Sequence, residues 1–120
     1  LGTYDDGRNP MTARLLRNYH RYLWKVSLRT VEERRQVIPC QAGKFQMVVM
    51  GDGRVSSCEM LPAVGNIRLQ SWKEILEGDA YRNQVKFIED KKCHCTHNCA
   101  MLGSILFNPV NLVRLAKQKI

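Results

Sequence analysis

Three cysteines within seven residues constrain this chain more than any other feature of its sequence. Cys93, Cys95 and Cys99 fall in the segment 93–99, and Cys40 and Cys58 lie upstream. Thiols at this density usually bind a soft metal or an iron–sulfur cluster, or else form disulfides. We therefore expect the rest of the chain to be the scaffold of one cysteine site.

The number and spacing of the cysteines favour a metal site over disulfides. Five is an odd number, whereas a secreted disulfide scaffold more naturally carries an even set spread along the chain. Cys93 and Cys95 are also too close in sequence to pair comfortably with each other. The sequence has no run of about 18 apolar residues and no signal-peptide pattern at its start. We therefore predict a cytoplasmic location and no membrane partner.

The net charge of +8 comes with basic residues concentrated before residue 36. A basic surface can meet nucleic acid or an acidic partner. Aromatic residues do not alternate with the basic ones, as a stacking platform for single strands would require. We expect a solvated helix face or a domain contact, with nucleic acid an unlikely partner.

The N-terminal half predicts one long helix followed by a β-hairpin. Asn9 and Pro10 form a helix-start signal, and apolar residues then recur at helical spacing, which predicts an amphipathic helix over about 10–30. The members of this apolar stripe are Leu15, Leu16, Tyr19, Tyr22, Leu23 and Val26. Residues 45–50 and 54–58 are β-prone and flank a turn at 51–53. This hairpin would bring Cys40 and Cys58 to the same end of the ribbon.

The C-terminal half predicts a link at 65–67 and short helices. Ser71 and Glu74 fit a capping box that opens a helix through Leu76. Asp79 can cap the next helix, up to about residue 90, and Asn108 with Pro109 repeats the cap-then-proline signal. An apolar patch is predicted at Leu102, Ile105, Leu106 and Phe107. The fold class is therefore α+β: a small hairpin and helices around a cysteine-bound metal cluster, with the N-terminal amphipathic helix.

An iron–sulfur cluster needs four ligands, and the spacing offers more than one set. Cys95 and Cys99, with three residues between them, can reach neighbouring corners of a cluster. Cys40 and Cys58 can supply the other pair. Cys93 is then either a substitute corner or a spare thiol.

A zinc site is the alternative, because zinc accepts cysteine together with histidine. His94 and His97 become candidate ligands in that case, and the chain would be a small zinc-binding interaction module that could also bind nucleic acid. A third reading is a structural domain whose thiols are merely sensitive to oxidation. The acidic residues show no pairing that suggests acid–base catalysis, so we predict no catalytic residue in this chain.

The sequence resembles the SPASM/twitch motif, which forms the auxiliary-cluster domain at the C-terminus of many radical S-adenosylmethionine enzymes. Cys40, Gly53 and Cys58 match its opening pattern of a cysteine, a gap of about a dozen residues, a glycine, four residues and a cysteine. Residues 65–67 and 71–76 resemble the link and short helix that follow. The pair Cys95 and Cys99 resembles the closing cysteines, so the resemblance covers about residues 40–99.

The resemblance implies one [4Fe–4S] cluster held by Cys40, Cys58, Cys99 and either Cys95 or Cys93. Cys95 is favoured over Cys93 because its spacing to Cys99 fits the family's last two cysteines. No cysteine follows Cys99, so the single-cluster, twitch-like form fits better than the two-cluster form.

The resemblance also implies what the chain lacks. Enzymes of this family cleave S-adenosylmethionine on another cluster, held by Cys-x3-Cys-x2-Cys in a partial barrel. Cys95 and Cys99 have the first spacing, but Leu102 stands at the third position. Because the chain also lacks an initiator Met, it looks like the C-terminal portion of such an enzyme and should be inactive alone.

The expected domains are an N-terminal linker and helix over 1–38 and a SPASM/twitch-like domain over 39–120. The expected partners are the catalytic barrel domain and a peptide or protein substrate. S-adenosylmethionine would enter only through the barrel domain. The cluster would serve electron transfer or substrate binding, with Thr96 and Asn98 as candidate hydrogen-bond donors to its sulfurs.

Overall fold

The computed structural model describes residues 9–117, which form an α+β fold as predicted. Five helices and three short strands lie in this part of the chain. In order they are α1 (Pro10–Glu33), β1 (Val48–Val49), β2 (Arg54–Ser56), β3 (Gly65–Asn66), α2 (Trp72–Glu77), α3 (Asp79–Glu89), α4 (Asn98–Leu106) and α5 (Pro109–Lys117).

Helix α1 begins as predicted but buries a narrower face than predicted. The Asn9 side chain accepts a hydrogen bond from the Met11 amide at 3.0 Å, and proline occupies the first turn. The buried residues lie four apart along one side of the helix and are Asn18, Tyr22, Val26 and Thr30. Leu15 of the predicted stripe is 55% exposed, and Trp24 and Leu28 are exposed as well. Apolar side chains therefore lie on more than one side of α1.

Helices α1, α4 and α5 share one hydrophobic cluster. Its buried members are Tyr22, Val26, Ile38, Met101, Ile105 and Leu115. A polar chain runs through the same contact: the Tyr22 hydroxyl donates to Asn111 Oδ1 at 2.8 Å, and Asn111 Nδ2 donates to the Ser104 carbonyl at 3.1 Å. The first helix is therefore tied to the last two. The predicted division of the chain at residue 38 stays a prediction.

The sheet has the predicted hairpin and one strand more. Strands β1, β2 and β3 lie in that order, each antiparallel to its neighbour, with Val55 paired to Val49 on one side and Gly65 on the other. The paired stretches of the hairpin are shorter than the predicted runs 45–50 and 54–58. After β2 the chain turns, with the Leu61 amide donating to the Cys58 carbonyl at 3.1 Å. The predicted link at 65–67 thereby returns beside β2 and becomes β3.

The capping box before α2 is confirmed, whereas the predicted cap of α3 is wrong. The Glu74 amide donates to Ser71 Oγ at 3.3 Å, and the Ser71 amide donates to Glu74 Oε2 at 2.7 Å. Helix α2 extends one residue beyond the predicted Leu76. Gly78 ends α2 and also occupies the cap position of α3, so Asp79 is already the first helical residue and its charge lies in the first turn.

Helices α4 and α5 correct the prediction for the apolar patch. The Val110 amide donates to Asn108 Oδ1 at 3.0 Å, as expected for the start of α5. Helix α4 was not predicted, and it begins inside the cysteine segment. Helical spacing turns Ile105 into the core and leaves Leu102, Leu106 and Phe107 largely exposed, so the four residues do not form one patch.

No single helix among residues 9–117 is long and apolar enough to span a membrane. Helices α4 and α5, bent by 89° at their junction, meet the length and composition requirement only as a pair. Buried core helices meet the same requirement, so this is weak evidence for a membrane span.

Candidate metal centre

Cys40 is held in a loop between α1 and the sheet. The Cys40 amide donates to Gln36 Oε1 at 3.2 Å, and the next amide, of Gln41, donates to Ser104 Oγ at 3.1 Å. Gln36 is only 7% exposed, and Ser104 is buried in α4. Side-chain hydrogen bonds from two elements thus fix the backbone on both sides of this thiol.

The loop after Cys40 depends on a glycine. Gly43 has φ +81°, in the left-handed region, and its amide donates to the Gln46 carbonyl at 2.8 Å. A Cβ at this position would lie 2.7 Å from Val85 Cγ2. The Tyr81 hydroxyl donates to the Gly43 carbonyl at 2.8 Å. The loop is therefore packed tightly against α3.

Cys58 follows β2 directly and is buried. Its carbonyl accepts from Ser56 Oγ at 2.8 Å, and the preceding amide, of Ser57, donates to Gln84 Oε1 at 2.8 Å. The thiols of Cys40 and Cys58 share one hydrophobic cluster with Ile88. The prediction that the hairpin brings Cys40 and Cys58 together is confirmed.

Cys93 follows α3 after a tight turn. Lys91 has φ +56°, and the Lys92 amide donates back to the Phe87 carbonyl at 3.2 Å. The Gln36 side-chain nitrogen donates to Cys93 Sγ at 3.6 Å and to the Ile88 carbonyl at 2.9 Å. The turn and this amide place Cys93 beside the Cys40 loop.

The electrostatics of the thiols show which of them lie together. Burial is the main reason that the pKa of Cys58 is raised, and the nearby Cys95, Cys40 and Glu59 raise it further, while a hydrogen bond from the Met60 amide opposes the shift. Burial likewise raises the pKa of Cys93, helped by Cys40, Cys95 and Cys58 and opposed by the bond from Gln36. Residues 40, 58, 93 and 95 thus form one group of interacting thiols.

Cys99 differs from the other four cysteines in its exposure and in its neighbours. It is exposed, and it is the second residue of α4. Its sulfur, a His97 ring nitrogen and a Glu59 carboxylate oxygen all lie within 4.8 Å of one another. His97 Nε2 is 3.3 Å from Glu59 Oε2.

A small cavity adjoins the four-thiol group on the side of α4. Cys40, Cys93, His94 and Cys95 line it together with Met101 and other residues of α1, α4 and the loop after α1. Its volume is about 30 Å³, far below the several hundred Å³ that is typical of a small-molecule pocket. This cavity is too small to bind a small-molecule substrate.

Gln36 is the residue at this site that the sequence did not reveal. It lies just after α1, far in sequence from Cys93, and no spacing rule connects them. Thr96 and Asn98, the donors expected from the sequence, stay predictions. A glutamine two residues before an Ile-Pro-Cys segment is a weak signal, since glutamine is common on surfaces and only its burial distinguishes this one.

The arrangement defines a class of protein, a small domain that binds metal through cysteines. Four sulfur atoms from three separate segments, largely shielded from water, are a donor set that an iron–sulfur cluster accepts. The SPASM family, an iron–sulfur cluster-binding domain, matches residues 40–100. This is half of the chain, which belongs to the SPASM family. A search of curated proteins and a search of solved structures each gave no match.

Proposed function

We propose that this chain is the auxiliary-cluster domain of a radical S-adenosylmethionine enzyme, with a single [4Fe–4S] cluster that acts in electron transfer or substrate binding during peptide or protein modification. The observation that carries the proposal is the convergence of four thiols within the segment that matches the SPASM family. When bound, such a cluster supplies one-electron redox chemistry.

Cys40, Cys58, Cys93 and Cys95 are the ligands that we propose for the cluster. The sequence favoured Cys99 with Cys95 and left Cys93 as the substitute. The raised pKa values of Cys58 and Cys93 support a group formed with Cys40 and Cys95, whereas Cys99 is exposed and lies beside His97 and Glu59. Four mutually repelling thiolates are stable together only with a cation between them, which is the role that the iron atoms would fill.

The surrounding residues would tune the potential of the cluster. Hydrogen bonds to ligand sulfurs and burial of the cluster both set its reduction potential. The Gln36 side chain donates a hydrogen bond to Cys93 Sγ, and the Met60 amide donates one to the Cys58 sulfur. Ile88 and Leu61 pack against Cys58 and limit its contact with water. These contacts belong to the chain itself.

The catalytic barrel domain and a peptide or protein substrate are the partners that we propose, in a reducing cytoplasm. Trp24, Leu28 and Val31 are exposed on α1 at helical spacing, on the side opposite the buried Tyr22 and Val26. A face of this kind offers a surface for another domain. S-adenosylmethionine would bind to the barrel and not to this chain.

Anaerobic reconstitution with iron and sulfide tests the proposal. We expect about four iron and four sulfide atoms per chain. We also expect a broad absorption near roughly 400 nm, typical of such clusters, and this absorption should bleach on reduction. C40A and C58A should each abolish this absorption, and M11A, on the exposed start of α1, should leave it intact. Stoichiometric zinc bound by four sulfurs, with no uptake of a cluster, would instead support the zinc-binding interaction module and contradict the proposal.

A further inference from the structure

We propose that the open cavity between the Cys40 loop and the end of α3 binds a carboxylate of a peptide, with Lys91 as the residue that anchors it. This inference rests on the proposed function, because it places part of a peptide substrate beside a cluster ligand. The cavity is separate from the small cavity on the side of α4. Of the five cysteines, all of which lie in the described residues, only Cys40 lines it.

The size of this cavity suits one side chain or one chain end of a peptide. Its volume is about 230 Å³, below the roughly 300–1,000 Å³ of pockets that hold whole small molecules. Pro39 and Ile88 provide apolar lining, and Lys44, Glu89 and Lys91 provide charged lining. The side chains of Lys44 and Glu89 are 45% and 47% exposed, so the cavity can be entered from solvent.

The polar groups of the lining leave hydrogen-bond donors for a ligand. The Ile88 carbonyl is already paired, because it accepts from Gln36 Nε2 at 2.9 Å and from the Lys91 amide at 3.0 Å. The Lys91 side chain, in contrast, has no ion pair or hydrogen bond with any other residue in 9–117. An ammonium group has three donors and no acceptor. The ligand that it selects is therefore an acceptor with negative charge.

The charges of the lining indicate which anion fits. Lys44 and Lys91 carry positive charges, and Glu89 carries a negative charge. Lys44 Nζ lies 2.6 Å from Glu89 Oε1, so one lysine at this site already holds a carboxylate. A phosphate monoester carries nearly two negative charges at neutral pH. The single positive charge that remains, on Lys91, is better matched by one further carboxylate.

The backbone at Lys91 supports a role for its side chain. Lys91 has φ +56°, in the left-handed region. Its amide donates to the Ile88 carbonyl, and the Lys92 amide donates to the Phe87 carbonyl. Helices that end with these two hydrogen bonds usually have glycine at the position of Lys91, because other residues are strained there. Strain of this kind is concentrated at functional sites, and here it places an ammonium group at the cavity.

Calorimetric titration of the cluster-loaded chain with blocked tripeptides tests the site. The probes are acetyl-Ala-Glu-Ala-amide, whose carboxylate is a side chain, acetyl-Ala-Ala-Ala with a free C-terminus, and the neutral acetyl-Ala-Gln-Ala-amide. We expect a carboxylate peptide to bind, the neutral peptide not to bind, and the affinity to fall with added salt. The carboxylate peptide that binds more tightly identifies the source of the group.

Variants of the lining residues locate the binding. K91Q should weaken binding of the carboxylate peptide about fivefold, the upper range for an ion pair exposed to solvent. K91G removes the same charge and relieves the backbone, so it should be at least as stable as the unaltered chain and lose as much affinity as K91Q. E89Q should strengthen binding about twofold or more, because Lys44 is released from its own carboxylate. K86Q is the matched control, since Lys86 is paired with Asp90 at 3.0 Å outside the cavity, and it should change the affinity less than about twofold.

Iron and sulfide counts on the same samples separate this inference from the proposed function. K91Q, E89Q and K86Q should all take up the full cluster, since none of them alters a cysteine. Absence of binding, equal affinity in K91Q and K86Q, weaker binding in E89Q, or equal binding of the neutral and charged peptides would overturn the carboxylate site and leave the auxiliary-cluster function standing. A chain that takes up no cluster but binds the carboxylate peptide through Lys91 would contradict the proposed function while supporting the site.

Discussion

The side-chain nitrogen of Gln36 donates a hydrogen bond to the sulfur of Cys93 at 3.6 Å. The same nitrogen donates to the Ile88 carbonyl at 2.9 Å, and the side-chain oxygen accepts from the Cys40 amide at 3.2 Å. One buried amide therefore connects two proposed ligand segments and the end of α3. Gln36 thus holds the backbone around the site and also donates to the sulfur of a proposed ligand.

Replacing Gln36 by leucine, Q36L, should lower the reduction potential of the cluster. A hydrogen bond to a ligand sulfur stabilises the more negative, reduced cluster, so its loss favours the oxidised form. The Cys40 amide would also lose its partner, at a cost of about 1–3 kcal/mol in the free energy of unfolding, while the Ile88 carbonyl keeps its bond from the Lys91 amide at 3.0 Å. Potentiometric titration followed by electron paramagnetic resonance measures the first effect.

Gln84 provides the matched control for this prediction. It is also a buried glutamine with two hydrogen bonds, to the Ser57 amide and the Pro62 carbonyl, each at 2.8 Å. Q84L should lower the free energy of unfolding by a similar amount and leave the potential nearly unchanged. Equal potentials in Q36L and the unaltered chain would show that the bond to Cys93 does not tune the cluster.

The fourth cluster ligand can be identified with two serine variants. C93S should reduce bound iron to well below half of that in the unaltered chain, because a thiolate of the interacting group is lost. C99S should retain close to all of it, since the exposed Cys99 lies with His97 and Glu59 instead. Iron counts after reconstitution show which of Cys93 and Cys99 is the fourth ligand. The reverse pattern would restore the ligand set that the family spacing favours.

Much of the fold could be predicted from local signals in the sequence. The caps at Asn9 and Ser71 work through contacts within four residues, and residue type alone reveals such contacts. The hairpin turn at 51–53 is equally local. Its geometry brings the Cys40 loop and Cys58 to the same end of the ribbon, and the bonds from Gln36 and Ser104 then fix the backbone at Cys40.

The features that could not be predicted from the sequence depend on contacts between distant segments. Helix α4 starts between His97 and Cys99 and places Cys99 in its first turn, but no capping side chain marks that start. The place of Gln36 beside Cys93 depends on its hydrogen bonds to the Ile88 carbonyl in α3 and to the Cys40 amide. Strand β3 consists of Gly65 and Asn66, which have low strand propensity, and it forms only because β2 offers a free edge.

Tyr22→Phe should destabilise the fold through the loss of a single hydroxyl. The Tyr22 hydroxyl donates to Asn111 Oδ1, and both side chains are buried between α1 and α5. Without it the amide oxygen stays buried and unsatisfied, which costs about 1–3 kcal/mol. Urea unfolding followed by circular dichroism measures the change. Y19F, at the rim of the same cluster, should cost less than about 0.5 kcal/mol, and an equal effect in both variants would exclude the hydrogen bond as the cause.

The capping box makes α2 sensitive to acid. Hydrogen bonds from the Ser71 amide, and then from its hydroxyl, hold the pKa of Glu74 below its ordinary value of 4.5. Because the folded-state pKa is depressed, the stabilisation is fully present above about pH 4.5 and is lost as the pH falls through the lowered value. An NMR titration of side-chain carboxyl carbons should show the pKa of Glu74 rising toward 4.5 in S71A. The pKa of Asp52, lowered by Arg54, should not move and serves as the internal control.

Gly43→Ala should destabilise the chain by about 1–3 kcal/mol, the cost of a left-handed conformation at a residue other than glycine. The new methyl group would also meet Val85 Cγ2 at 2.7 Å, which pushes the loop away from α3. Gly51→Ala is the matched control, because nothing lies within 4 Å of its Cβ position and its φ is not in the left-handed region.

Urea unfolding of the cluster-loaded chains compares these two glycine variants. G51A should stay within about 0.5 kcal/mol of the unaltered chain. G43A should also lose iron faster to a chelator, because Gly43 sets the path of the loop that carries Cys40 and receives the Tyr81 hydroxyl bond. Equal stability and equal iron loss in the two variants would show that the loop tolerates a side chain at this position, and Gly43 would then have no part in placing Cys40.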